Sequence, residues 1–206
     1  MKETQGCRNR AVITGLGAVT CLGSAGDLWQ GLLAGRRGLS EFAKFDPAGL
    51  RNSLCGQVRD WTFAPAEFGL DQAPDEAAQF LLTAAGEAIA DAGLSELLHA
   101  GAGRRPEVGL ALASNFAGSV SWEQYLASVL AKRPSPDAFI QFSFGSALSL
   151  CREVFGAAGP AGLHASRGSS CAFSGCRPVE RWREILAAPL AVEAGRAVSP
   201  RLRLPG

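Results

Sequence analysis

RAVITGLGAVTCLGSAGDLWQGLLAGRRGL, residues 10–39, sets a short apolar run against a glycine turn and follows both with an amphipathic segment. Ala11, Val12 and Ile13 read as a β-strand that enters a turn at Gly15 and Gly17. A helix follows from about Ala25 to Ala34. Ser24, with Asp27 three residues later, forms a capping box, in which each residue bonds the other's backbone N–H. Leu28, Leu32 and Leu33 supply an apolar stripe, and Gly35 suits the stop.

The chain beyond repeats this alternation. Residues 42–70 are irregular, with Pro47, Gly49, Gly56 and Pro65 as breakers. The clearest helix lies between Pro74, suited to a first turn, and Gly93, suited to the position past the end. Along it Ala77, Phe80, Leu81, Ala84, Ala85, Ala88 and Ile89 repeat at helical spacing, and the small residues among them predict close packing. Residues 108–113 read as a buried strand. Ser121 and Gln124 form a second capping box, opening a helix whose inner face is Trp122, Tyr125, Leu126, Val129 and Leu130. Pro134 and Pro136 break the chain, and a further helix from about Gly145 to Phe155 ends at Gly156. Strands alternating with helices predict an α/β fold with a largely parallel sheet.

Composition bounds the function classes. The 206 residues are 47% hydrophobic and 19% charged, with a net charge of +1. A nearly neutral chain lacks the field that draws nucleic acid or an anionic membrane surface. No apolar run approaches the ~20 residues needed to cross a bilayer, and the polar start MKETQGCRNR lacks a secretion signal. The expected location is cytoplasmic. The six cysteines, Cys7, Cys21, Cys55, Cys151, Cys171 and Cys176, form no CxxC pair, and with only His99 and His164 the zinc-ligand pattern is missing. Most of these thiols should be small buried hydrophobes, with one nucleophile at most. From Cys176 onward the character changes: Arg177 to Gly206 holds six arginines, four prolines and no lysine. One short helix, Pro178 to Ala188, fits there. We divide the chain into a domain over residues 10–175 and an atypical tail over 176–206, expected to be disordered toward its end; its abrupt composition suggests, as a hypothesis, a truncated reading frame continued in another frame.

Gly15 and Gly17 after a strand also suggest a dinucleotide cradle. That motif needs a small third residue where the helix packs, and an acid ~20 residues on for the ribose. Here Thr20 holds the third position and Glu41 follows a loop, so the preferred reading is a tight turn with unusual backbone angles.

Several phrases, in order, resemble the beta-ketoacyl-ACP synthases, condensing enzymes of the thiolase-like superfamily. They are Ala11 to Gly23, Trp29 to Gly38, Lys44-Phe-Asp-Pro47, Ala84 to Leu94, and Phe155-Gly-Ala-Ala-Gly-Pro160. The resemblance implies the N-terminal half of a layered α-β-α fold with a mostly parallel mixed sheet, incomplete relative to the whole. It implies acyl transfer to a cysteine at a strand-to-helix bend, then decarboxylative C–C condensation in fatty acid or polyketide biosynthesis. Substrates would arrive on the phosphopantetheine of an acyl carrier protein, with no cofactor bound. Cysteine suits the task because a thiolate is a strong nucleophile whose pKa a helix N-terminus depresses.

Cys171 in Ser170-Cys-Ala-Phe-Ser-Gly175 is the candidate nucleophile, against an ordinary buried cysteine. Phe173 is an insertion in the family phrase, and ten residues separate Pro160 from Cys171, more than the family carries. A second register puts Ser169 at that position. Cys151 and Cys21 lie in apolar settings and read as structural. The family's two activating histidines come from its second half. His99 reads instead as a solvated residue at a helix C-terminus and His164 as a strand residue. Without two imidazoles, condensation by this chain alone should be lost or greatly slowed.

Three readings stand. The first is a ketosynthase N-terminal part that is active only when combined with a C-terminal half, in a homodimer or a heterodimer with a ketosynthase subunit. The second is a silent partner resembling a chain-length factor in a heterodimer with a ketosynthase subunit. The third is a nucleotide-dependent oxidoreductase. Phe139, Ile140, Phe142 and Phe144 should form an exposed apolar patch, read equally as dimer contact or as core.

Overall fold

A computed structural model describes residues 12–44, 46–99, 101, 103–114, 116 and 118–165. These fall into two compact units, one drawn from Met1–Phe63 and Leu82–Leu97, the other from Ala64–Leu81 and Leu98–Gly206.

In the first unit the opening segment departs from expectation. Residues 12–19 carry no strand, and Val12 and Ile13 are 70% and 84% exposed. A strand exists only where a neighbour takes its backbone groups, and here the acceptors are side chains. The N–H of Leu16 donates to Asp91 at 2.9 Å and that of Ala18 to Glu87 at 3.0 Å. Helix α1 (Ala25–Leu33) forms as read, with both bonds of the Ser24–Asp27 capping box in place. Its leucine stripe turns inward only in part: Leu28 is half-buried, Leu32 and Leu33 are exposed, and Gly31 is the buried residue. Two-residue strands β1 (Ser40–Glu41) and β2 (Leu54–Cys55) then pair antiparallel.

Helix α2 (Glu76–Asp91) begins in the second unit and ends in the first. Residues 76–89 are all at least half-buried, with Ala78 and Leu82 the deepest. The single apolar face read from the sequence is therefore too narrow: small residues let neighbours approach around the helix. Gly93, at φ +69°, closes it as expected.

The second unit holds a 3₁₀ turn at Pro65–Phe68, strand β3 (Leu110–Ser114), helices α3 (Ser119–Leu130), α4 (Pro136–Phe142) and α5 (Phe144–Val154), and strand β4 (Ala161–Ala165). Strands β3 and β4 pair in parallel, Leu110 with Ala161 through Ser114 with Ala165. The α/β class and the parallel pairing agree with the sequence reading. β3 alternates half-buried with exposed residues, whereas a buried strand was expected; among the described residues it has one strand neighbour only. The core gathers Cys151, Val154, Phe155 and Ala157, with the Phe155 ring edge-on to Phe68.

Helix α3 corrects another reading. It starts at Ser119 behind Gly118, so Ser121 lies inside it and caps nothing; Trp122, Leu126, Val129 and Leu130 remain exposed. Trp122, Tyr125, Phe139 and Phe142 pack as an aromatic cluster across α3 and α4 with ring centroids 4.6–6.4 Å apart. Phe139 and Ile140 are exposed, in line with the expected apolar patch. No helix among the described residues is long and apolar enough to cross a membrane.

Candidate active site

Parallel pairing brings the C-terminal ends of β3 and β4, Ser114 and Ala165, side by side, where open α/β sheets place their ligands. Ser169 and Cys171 follow Ala165 by four and six positions in the sequence and, with Cys7 and Cys176, lie outside the described residues. What the structure does define is the approach to that segment.

The phrase Phe155–Pro160 forms the turn into β4. Phe155 caps α5 and Gly156 takes φ +65°. Gly159 must be glycine for another reason: a Cβ there would lie 2.6 Å from the Pro106 carbonyl oxygen and 2.7 Å from that of Val108. The Arg152 side chain, in the last turn of α5, reaches over this turn. Its Nε donates to the Ala157 carbonyl at 3.0 Å and its Nη2 to that of Gly159 at 3.1 Å. Opposite, the Arg105 backbone N–H donates to Gly156 at 2.7 Å while its carbonyl accepts from Ala158 at 3.0 Å.

The other end of this unit is tied by a buried carboxylate. Asp75 and Ser121 are 7% and 3% exposed. Asp75 Oδ2 accepts from the Ser121 N–H at 3.0 Å and from its hydroxyl at 2.6 Å, and Oδ1 accepts from the Ala77 N–H at 2.9 Å. One side chain thus satisfies the start of α2 and holds it to the first turn of α3. Asp75 also lines a groove of about 790 Å³ whose other walls include Ala78, Phe139, Ile140, Ser146 and Leu150. Sequence reasoning missed Asp75 because Pro74 was given the helix-starting role; an Asp directly after a Pro, ahead of a helical run, was the available signal.

The remaining sequence candidates separate cleanly. Cys151 is fully buried, and burial pushes its thiol up to about 12, so it is inert at neutral pH and structural, as read. Cys55 is half-buried, but Cys21 is exposed rather than buried. Its sulfur fits beside Gly38, where an added Cβ would come within 2.3 Å of it. His99 is an exposed loop residue, since α2 ends eight positions earlier at Asp91; it does not sit at a helix terminus. His164 is a β4 residue, as read. Among the described residues no group of three His, Cys, Asp or Glu side chains could hold a metal.

The glycine turn is no phosphate cradle. The N–H groups of Leu16 and Ala18 already donate to carboxylates, and a second anion there would be repelled. Nor do Gly15 and Gly17 adopt left-handed angles. Their hydrogens admit α2: a Cβ would lie 2.1 Å from the Ala88 carbonyl oxygen at Gly15 and 2.0 Å from that of Ala84 at Gly17. The role is close approach, not an unusual turn.

Comparison with known proteins completes the picture. Residues 8–175 match the family described as beta-ketoacyl synthase, N-terminal domain. A 3-oxoacyl-[acyl-carrier-protein] synthase 2 of Coxiella burnetii is 34% identical over 131 residues, covering 62% of this chain and 30% of that protein. A protein of Streptomyces halstedii described as a polyketide beta-ketoacyl synthase is 31% identical over 168 residues, covering 73% and 37%. Among solved structures, the ishigamide ketosynthase/chain length factor superposes with a TM-score of 0.63 at 21% identity, covering 77% of this chain and 40% of that one. That likeness places the described residues in part of a thiolase-like fold. The chain spans about a third of the length of the curated relatives it matches.

Proposed function

We propose, from the premise that this chain belongs to the beta-ketoacyl synthase family, that it carries the acyl-accepting part of a ketosynthase in fatty acid or polyketide assembly. Cys171 is the nucleophile in this reading. The supporting observation is the family match over residues 8–175, which includes Cys171; β4 ends six positions before that residue in the sequence. The Cys171 thiolate attacks the carbonyl carbon of an acyl thioester on the phosphopantetheine of an acyl carrier protein. The tetrahedral oxyanion collapses, the C–S bond to phosphopantetheine breaks, and the departing thiolate takes up a proton. The acyl group is left as a thioester on Cys171. Backbone N–H groups at a strand-to-helix bend would hold the oxyanion.

Condensation would follow when malonyl-ACP loses CO₂ and its carbanion attacks the acyl-Cys171 carbonyl, expelling the thiolate. That step draws on two imidazoles, which the family resemblance places beyond the matched span. Acyl acceptance is therefore the reaction assigned to these residues, with an acyl carrier protein as partner and no bound cofactor. The test is covalent labelling with cerulenin followed by peptide mapping. One adduct, located on Cys171 and absent from Cys171→Ala, is expected. Labelling confined to Cys21 or Cys55 would reject the assignment.

A second reading rests on Phe173 and on the ten residues between Pro160 and Cys171, both departures from the family phrase. In it the chain is a silent partner resembling a chain-length factor. Co-purification with a ketosynthase subunit, together with no acylation of Cys171, would favour it.

A further inference from the structure

Strand β4, Ala-Gly-Leu-His-Ala over residues 161–165, has little in its own side chains to choose a register. Leu163 is its single large apolar residue, and it is exposed. A parallel strand without a clear inward face is prone to slip by a residue, which moves every side chain to the opposite face. Yet the pairing with β3 is regular over five positions. The register must be set from outside the strand.

We propose that Arg152 is the register lock of β4, the strand that ends six positions before Cys171 in the sequence. Its guanidinium spans two carbonyls two residues apart, Ala157 at 3.0 Å and Gly159 at 3.1 Å. A fixed two-donor fork matches that spacing, whereas a single ammonium would hold one carbonyl at a time. The fork works against a tight backing. The Gly159 N–H donates to the Val108 carbonyl at 2.9 Å, and Leu110 N–H donates to Pro160 at 2.9 Å. Gly109 is equally confined: a Cβ there would meet the Pro160 carbonyl oxygen at 2.9 Å. Arg152 therefore presses a turn with no lateral freedom, and β4 leaves that turn in one register. Placing Arg152 in the last turn of α5 also sets a cation where the helix carbonyls favour one.

The consequence for Cys171 rests on the proposed acyl transfer; the lock itself does not. The test accordingly reads the full, substrate-free chain by amide hydrogen exchange in wild type, Arg152→Met and Arg152→Lys. Met keeps the packing of the stem and removes the fork. Exchange in the peptides covering residues 156–165 should rise roughly tenfold in Arg152→Met, the factor expected when one such bond set is lost, while residues 119–142 stay at the wild-type rate. Arg152→Lys should recover only part of that protection. No change at 156–165, an equal rise throughout the unit, or full recovery with Lys would each overturn the proposal. A parallel measurement of Cys171 acylation separates the two claims: a wild type that never acylates, with local exchange behaving as stated, removes the transfer reading and leaves the lock standing.

Discussion

Replacing Asp75 by Ala should be among the most damaging single changes in the second unit, and its size follows from three hydrogen bonds. The carboxylate accepts from the N–H of Ala77 at 2.9 Å, the N–H of Ser121 at 3.0 Å and the Ser121 hydroxyl at 2.6 Å. Its loss removes the cap of α2, worth about 1 kcal/mol. It also strands the Ser121 donors, on a residue 3% exposed, and an unsatisfied buried donor costs about 1–3 kcal/mol. Together Asp75→Ala should lose about 2–4 kcal/mol. At roughly 2–4 °C per kcal/mol for a chain of this size, the melting temperature should drop by about 5–15 °C. Ser121→Ala removes only the hydroxyl bond and should cost less, about 1–2 kcal/mol. The two residues touch, so the double variant should be milder than the sum by about 1 kcal/mol. Denaturant unfolding of the four proteins closes the cycle. An Asp75→Ala variant within ~0.5 kcal/mol of wild type, or strictly additive losses, would refute the clamp.

Gly17→Ala puts a Cβ 2.0 Å from the Ala84 carbonyl oxygen and should cost about 3 kcal/mol by forcing backbone apart. Gly35→Ala, at φ +66° in open space, should cost only about 1 kcal/mol; equal losses in a thermal melt would contradict the close-approach argument. The Cys151 thiol, pushed up to about 12 by burial from 9.0, keeps its proton in the folded chain after the unfolded chain has lost it. Stability should therefore be unaffected below pH 9 and fall by up to about 1.4 kcal/mol per pH unit above it; a flat urea midpoint from pH 9 to 11 in wild type relative to Cys151→Ala would count against this. The Ser24 hydroxyl and backbone N–H hold the Asp27 carboxyl below its usual range. Ser24→Ala should move it upward toward the ordinary value in an NMR titration, and no movement would break the capping-box account.

What could be read in advance was local. The capping box of α1 spans three residues, and the stops at Gly93 and Gly156 need only one residue able to turn left-handed, so both are written in adjacent letters. The same local grammar misled at Ser121 and Gln124, which spell a capping box but lie inside α3, because Asp75, 46 residues away, takes the Ser121 hydroxyl. Strand character at Val12 and Ile13 failed for a related reason: apolar letters supply the propensity, but a strand needs a neighbour's carbonyls and amides. Gly15 and Gly17 were recognised as special for the wrong reason, since nothing in a glycine tells a left-handed turn from a passing helix. The Arg152 fork was invisible because a single arginine near a helix end signals charge, not the two carbonyls it will bridge. Cys171 was named from a family phrase rather than from any pattern of burial or spacing.

The residue that receives an acyl group decides whether Cys171 is the nucleophile. Incubating the chain with an acyl-ACP and weighing the intact protein should show one added acyl mass, mapped to Cys171 and missing in Cys171→Ala. An unchanged mass, or an acyl group carried by another residue, would contradict it.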